Sequence, residues 1–445
     1  MKTIRIGSGA GTSMDLIDPA VELVEQGNID YICFECLAER TIGIGQQVRL
    51  REPDKGYDPL LEERMEAILL PCKKNNVKII TNMGAANPLA AMQRTKEVAE
   101  RLGVNDIKIA ALLGDDVVDV VRQGQFSFLE NGQPVSSLGD KIISANAYLG
   151  CAGIVEALQN GADVIITGRV ADPALFAAPL IHEFGWPMDD WHKMGIAACV
   201  GHLLECGGQA SGGYFADPGV KDVPDLDRLG FPLAEVAEDG SFFITKVAGS
   251  GGEVSSRTLT EQILYEVFNP AAYYTPDVVA DFSHIQFIEE APDQVRVVGA
   301  TGKKRPDTLK VSVGYLDGFI GEGQISYAGP GAVARGKLAL DIVKKRLERK
   351  KIPLEEIRYD LIGCNSLHGN ALSNGEPYEV RVRAAGRAPL QKDAAQVGAE
   401  VFALYTNGPV GGGGAWQSTK DVLAILSVLI PRTSVTTKLC YEEIQ

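Results

Sequence analysis

The chain has 445 residues, of which 45% are hydrophobic and 23% charged, and a formal net charge of −15. That length gives room for two or three domains around a large buried core. The acidic balance argues against a nucleic-acid or anionic-membrane surface, since such binding depends on clustered Lys and Arg.

The N-terminus passes directly into a strand at 3–7, with no apolar leader before it. The pattern then alternates: helix 18–26, strand 29–33, helix 60–75, strand 77–82, helix 88–102, strand 107–113, helix 154–159 and strand 164–168. Repeated strand–helix units of this length predict an α/β fold, a parallel sheet with flanking helices. Periodicity does not decide between an open sheet and a barrel.

After 240 the order changes to strand-like runs at 241–247, 285–290, 294–299, 308–316 and 324–328. The helix 332–350 follows, then a strand at 377–384 and helices at 392–405 and 419–429. This reads as an α+β layered C-terminal domain. The expected division is a domain over 1–220 and a second over 233–435, with a boundary near 220–240 in a Pro-rich charged segment. Residues from Thr436 onward are expected to fray. The basic run from Lys344 to Lys351 reads as the solvated end of a helix. No stretch of 18 apolar residues occurs, so no membrane span is expected. The eight cysteines are irregularly placed, as in a reduced protein, and the expected compartment is the cytoplasm.

Ligands collect at the carboxyl ends of strands in parallel α/β sheets. Ser8, Glu35, Asn82, the pair Asp115 and Asp116, and the pair Arg169 and Asp172 all fall at such ends. Gly7-Ser8-Gly9-Ala10-Gly11-Thr12 departs from a dinucleotide fingerprint at its third glycine, leaving a tight turn or an anion contact. Cys33-Phe34-Glu35-Cys36 lacks the further ligands of a zinc site. Asp115 and Asp116 read as helix caps, or one of the two as a general base or a metal ligand. Arg169 after Thr167-Gly168 suits bidentate carboxylate recognition, or a structural pair with Asp172.

His202, Glu205 and Cys206 share a helix face at i, i+3 and i+4, which suits acid/base work, a metal, or a satisfied core histidine. Ser144, Asn146, Tyr148 and Tyr214 add hydroxyl and amide groups. Lys246 precedes one glycine run, and Asn407 precedes another that includes Gly411, Gly412 and Gly413. Backbone amides there would cradle an anion or form a lid. No triphosphate P-loop is present. The candidate catalytic set is Asp115, Asp116, His202, Glu205, Cys206 and Tyr214. The candidate binding set is Ser8, Asn82, Ser144, Asn146, Tyr148, Arg169, Asp172, Lys246, Asn407 and Gly411–413.

Gly56-Tyr57-Asp58-Pro59, Thr81-Asn82, Thr167-Gly168-Arg169, Gly201-His202-Leu203-Leu204-Glu205-Cys206, Gly212-Gly213-Tyr214-Phe215 and Tyr405-Thr406-Asn407-Gly408-Pro409 are carried together over nearly the whole chain. In these the sequence resembles the acyclic terpene utilisation (AtuA) family. The resemblance implies a role in breaking down acyclic terpenes through branched acyl-CoA intermediates. From it follow the expectations of a hydro-lyase acting on a branched carboxylate or its CoA thioester, or of a scaffold subunit in such a complex. A dinucleotide oxidoreductase is a third reading. No resident cofactor is expected, and a divalent metal remains open. The resemblance also implies a homo-oligomer joined by a separate small ferredoxin-like subunit near 405–430, with this chain as the large subunit.

Overall fold

A computed structural model describes every residue except Ala371, Ser373 and Asn374. It divides into two compact units, residues 1–314 with 425–445, and residues 315–424.

In unit 1, β1 (Thr3–Ala10), α1 (Asp18–Gln26), β2 (Tyr31–Phe34), α2 (Glu39–Arg51), α3 (Leu61–Asn75), β3 (Lys78–Thr81), α4 (Pro88–Leu102) and β4 (Ile107–Leu113) come first. They are followed by α5 (Val118–Gln123), β5 (Ile142–Ala147), α6 (Ala152–Gln159), β6 (Val164–Thr167), α7 (Asp172–Phe184) and α8 (Trp191–Leu204). The parallel strands run in the order β1-β2-β3-β6-β4. This sheet is open. β2 and β6 are buried along their whole length, as expected of strands covered on both faces. Alternate side chains feed two cores: Ile6, Cys33 and Ile80 face α6–α8, whereas Ile32, Phe34 and Ile79 face α1, α3 and α4.

β7 (Pro232–Ala237) pairs antiparallel with β1, and β8 (Phe242–Lys246) pairs with β7. The strands immediately after the expected linker therefore extend the N-terminal sheet. The division between units falls instead at 314/315 and 424/425, inside the strands Thr308–Ala328 and Gly413–Pro431.

Two further expectations are corrected. The segment 419–429 is part of the strand Gly413–Pro431 and not a helix; a short apolar run carries no decisive period, and Val422, Ile425 and Val428 favour the pleated form. The C-terminus does not fray. Lys438–Ile444 is a strand that pairs antiparallel with all of β4 and covers the sheet edge.

Unit 2 is a sheet of Glu356–Ile362, Glu379–Ala388 and the unit-2 parts of the two long strands. The helices Ala332–Lys350 and Gln391–Phe402 cover one face, burying Ala339, Val343, Val382 and Val397. The basic end of Ala332–Lys350 is solvated, with Lys345 paired to Asp341. Among the described residues no helix is long and apolar enough to cross a membrane.

Candidate functional site

A cavity of about 960 Å³ opens in unit 1 at the carboxyl ends of β1, β2 and β6. Gly11 and Thr12 follow β1, Glu35 and Leu37 follow β2, Arg169 and Asp172 follow β6, and Glu205 and Cys206 follow α8. Two glycines bring these segments together. A Cβ on Gly201 would lie 2.6 Å from Pro173 Cα, so Gly201 lets α8 pack on the start of α7 and carries Glu205 towards Asp172. A Cβ on Gly11 would lie 2.2 Å from the Cys206 carbonyl carbon. Gly11→Ala is therefore expected to cost about 1–3 kcal/mol through overpacking. It should also displace the cavity wall, which a thermal melt together with a ligand titration would reveal.

Arg169 is the hub. Its guanidinium is buried, donates to the Leu37 carbonyl and to Asp172, and stacks over the Tyr148 ring at 4.2 Å. Its backbone amide donates to Asp115 Oδ2 at 2.9 Å. Lys310 stands on the same Tyr148 ring at 5.0 Å, and the Tyr148 hydroxyl donates to Glu39. A substrate carboxylate reaching Arg169 would have to displace Asp172. The charge balance opposes that: Asp15, Glu35, Glu39, Asp172, Glu205 and Glu266 line the cavity against only Arg169 and Lys310.

These acids sit in unequal environments. Burial, then repulsion from Asp172, pushes Glu35 well above the usual carboxylate range, although Asn82 Nδ2 and the Leu37 amide each donate to its Oε1 at 2.9 Å. Both donors reach the same oxygen, which leaves Oε2 for a proton. Asp172 is pushed up to about 7 by burial; Arg169 opposes the rise, while Glu205, Glu39 and Glu266 add to it. Burial also lifts Glu39, but the Tyr148 hydroxyl, its own amide, Arg169 and Lys310 outweigh it and hold Glu39 at about 2. Three neighbouring carboxyls are thus held apart, Glu35 well above the ordinary range, Asp172 raised to about 7 and Glu39 lowered to about 2. Such separation is how one site assembles acid and base roles.

Glu205 ends α8, and its Oε1 lies 2.7 Å from His202 Nδ1. Among the described residues its Oε2 has no hydrogen-bond partner. Cys206 lines the cavity, and burial raises its thiol far above the ordinary range. Tyr214 stands at the mouth, 88% exposed, with a left-handed φ of 61° between Gly213 and Phe215.

Of the residues expected from sequence, Tyr148, Arg169, Asp172, Glu205, Cys206 and Tyr214 meet at this cavity. Others lie behind it. Ser8 donates from within β1 to the Leu204 carbonyl at 2.7 Å, and Asn82 holds Glu35 and the Cys36 amide. Asp115, pushed up to about 6 by burial, accepts from Asn146 at 2.9 Å and supports the turn carrying Arg169. His202 is buried, and Ser144 is buried in β5.

The remaining candidates lie elsewhere. Asp116 is exposed and accepts from the Val118 amide at the start of α5. Lys246 donates to Ser250 and pairs with Asp293. Asn407, Gly411, Gly412 and Gly413 belong to unit 2, and the cavity is built from unit 1 alone. A Cβ on Gly412 would meet Ile325 at 2.9 Å, so close packing accounts for that glycine. Glu39, Glu266, Tyr265, Tyr273 and Lys310 also line the cavity, although no motif marked them. Among the described residues no group of three or more His, Cys, Asp or Glu is arranged to hold a metal ion.

A family model described as acyclic terpene utilisation family protein AtuA matches residues 4–441. No curated protein and no solved structure matches the chain. The chain belongs to the AtuA family, and with it to acyclic terpene utilisation.

Proposed function

With family membership as the premise, we propose that the protein is a hydro-lyase that adds water to, or removes it from, a branched acyl group carried as a CoA thioester. The observation that carries this reading is the grouping of carboxyls around Arg169: Asp172, paired with the guanidinium and raised to about 7, and Glu35, raised by burial, face one cavity. Loss of a hydroxyl requires a proton donor beside the departing oxygen, and Asp172 suits that role. Glu35 suits donation of a hydrogen bond to the thioester carbonyl, as a carboxyl kept neutral by its surroundings does. Arg169 orients Asp172, and Tyr148 supports the guanidinium from below.

The lining carboxyls favour an uncharged acyl end over a free carboxylate beside Arg169, and Leu16, Leu37, Leu229, Phe231 and Leu309 offer apolar wall to a branched chain. The same reading places the protein in the cytoplasm as a homo-oligomer, with a small ferredoxin-like subunit near 405–430. Leu423, Val428 and Ile430 of that stretch are buried in the chain's own fold, while Leu429 is exposed and lines the cavity. Thermal-shift titration with branched acyl-CoAs and the matching free acids tests the substrate class. A thioester at 100 times its dissociation constant should stabilise the protein by about 2.7 kcal/mol. Stabilisation by the free acids alone would reject the thioester, and no shift with either class would reject the substrate assignment.

A further inference from the structure

We infer that Glu205 is the base of this reaction and that His202 is its positioning residue. The inference rests on the hydro-lyase reading and assigns the half of the chemistry that Asp172 and Glu35 leave open. Glu205 lines the cavity yet is only 6% exposed, and among the described residues its Oε2 has no partner. A buried carboxylate oxygen without a donor is disfavoured. A ligand hydrogen or a transferred proton satisfies it.

The other oxygen is fixed from behind. His202 Nδ1 lies 2.7 Å from Glu205 Oε1, and the imidazole stacks on Phe282 at 5.6 Å and tilts against Tyr273 at 5.0 Å. The His202 carbonyl is in turn held by Gln262 Nε2 at 2.8 Å. His202 is 1% exposed and does not line the cavity, so it acts through Glu205 and not on substrate. Among the described residues its Nε2 has no partner, so the ring engages the carboxylate through Nδ1.

The neighbours are poorer bases. Asp172 is engaged by Arg169, and burial raises the Cys206 thiol and the Tyr273 phenol far above neutrality.

Glu205 takes the α-proton, the C–H electron pair becomes the α,β double bond, and the β C–O bond breaks. The oxygen leaves as water with the proton from Asp172. A 3-hydroxyacyl thioester thus yields an enoyl thioester and water, leaving Glu205 protonated and Asp172 ionised, and proton exchange with water restores both.

The test uses the full-length protein and two probes. 3-Methylbutyryl-CoA in D2O lacks the β-hydroxyl and reports α-proton exchange alone, by NMR; 3-hydroxy-3-methylbutyryl-CoA reports elimination. Wild type should do both. Asp172→Asn should retain exchange within a few-fold while losing elimination, and Glu205→Gln should lose both by about 100-fold or more. His202→Leu should lose about tenfold in exchange kcat with little change in KM. His202→Asn, whose Nδ2 takes the place of Nδ1, should recover most of that loss. Exchange at the wild-type rate in Glu205→Gln, or equal rates in the two His202 variants, would overturn the assignment while leaving the hydro-lyase reading intact. Elimination by a wild type that shows no exchange would overturn it as well. A wild type inactive with both probes would overturn the functional reading and this assignment together.

Discussion

Replacing Asp172 by Asn is expected to lower kcat by about 10²–10⁴-fold without unfolding the protein. Asn keeps an oxygen for Arg169 Nη2 to donate to, so the guanidinium stays over Tyr148 and the cavity keeps its shape. What disappears is the transferable proton. The pH profile gives the sharper signature. Asp172 acts in its protonated form and is pushed up to about 7, so kcat/KM should fall on the basic side with an apparent pKa near that value. The limb belongs to the coupled carboxyls as a group. In the variant this limb should be absent and the residual rate flat.

The same group gives a stability prediction of definite sign. The folded-state pKa lies above the ordinary value, so the folded protein holds the proton more tightly. The resulting stability is fully present below about pH 4 and is lost as pH rises through about 7. Asp172→Asn should therefore melt higher than wild type at pH 8 and about equally at pH 4. The gain should be about 1–2 kcal/mol, because the partly exposed edge of the carboxyl trims what full burial would give. A variant of unchanged pH profile would remove Asp172 from the chemistry.

Arg64→Ala is expected to produce the largest loss of stability, about 3–5 kcal/mol. The Arg64 side chain is fully buried. Its Nη2 donates to the carbonyls of Ser13 at 2.8 Å, Asp15 at 3.2 Å and Thr12 at 3.3 Å, and its Nη1 reaches Asp58 Oδ1 at 3.4 Å. Truncation takes a donor from each of three carbonyls and removes the positive charge beside the buried Asp58 carboxylate; the Asp15 amide still serves Thr12 and the Leu60 amide still serves Asp58. Thr12, Asp15 and Leu16 line the cavity, so ligand affinity should fall along with the melting temperature. Arg94→Ala is the control. That side chain pairs with Glu62 and Glu97 at 2.6 Å but is 40% exposed, and its loss should cost under about 1 kcal/mol. Equal losses in both variants, measured by denaturant unfolding, would refute the role given to Arg64.

Much of unit 1 was legible because its signals are local. α1 and α4 run over the expected residues, 18–26 and 88–102, each with a proline in its first turn and an apolar stripe. The polar residues at the parallel strand ends were readable for the same reason, and Glu35, Arg169 and Asp172 do meet there. Glu39, Glu266, Tyr273 and Lys310 were not readable, since they come from distant parts of the chain and only tertiary folding brings them to one wall. Local sequence also failed to separate His202 from Glu205: the shared helix face is real, yet burial turns the imidazole into a support and leaves the carboxylate at the cavity. Asp58 was visible only as part of a motif, and its role emerged as the partner of Arg64. In unit 2 and the C-terminal region the signals are weaker. The sequence reads as separate strands at 308–316 and 324–328, but Thr308–Ala328 is one strand whose Gly321 and Gly323 admit the helix Gln391–Phe402.

On the proposed reading, the Arg169–Asp172–Glu35 cavity exchanges water with a branched acyl thioester. The most direct test is incubation of the wild-type protein with 3-methylcrotonyl-CoA in H2¹⁸O, followed by mass spectrometry of the product. The expected product is a 3-hydroxyacyl-CoA bearing one ¹⁸O at the β-carbon, with formation lost in Asp172→Asn. Tight binding of the thioester with no ¹⁸O incorporated would contradict it and leave the protein a binding subunit.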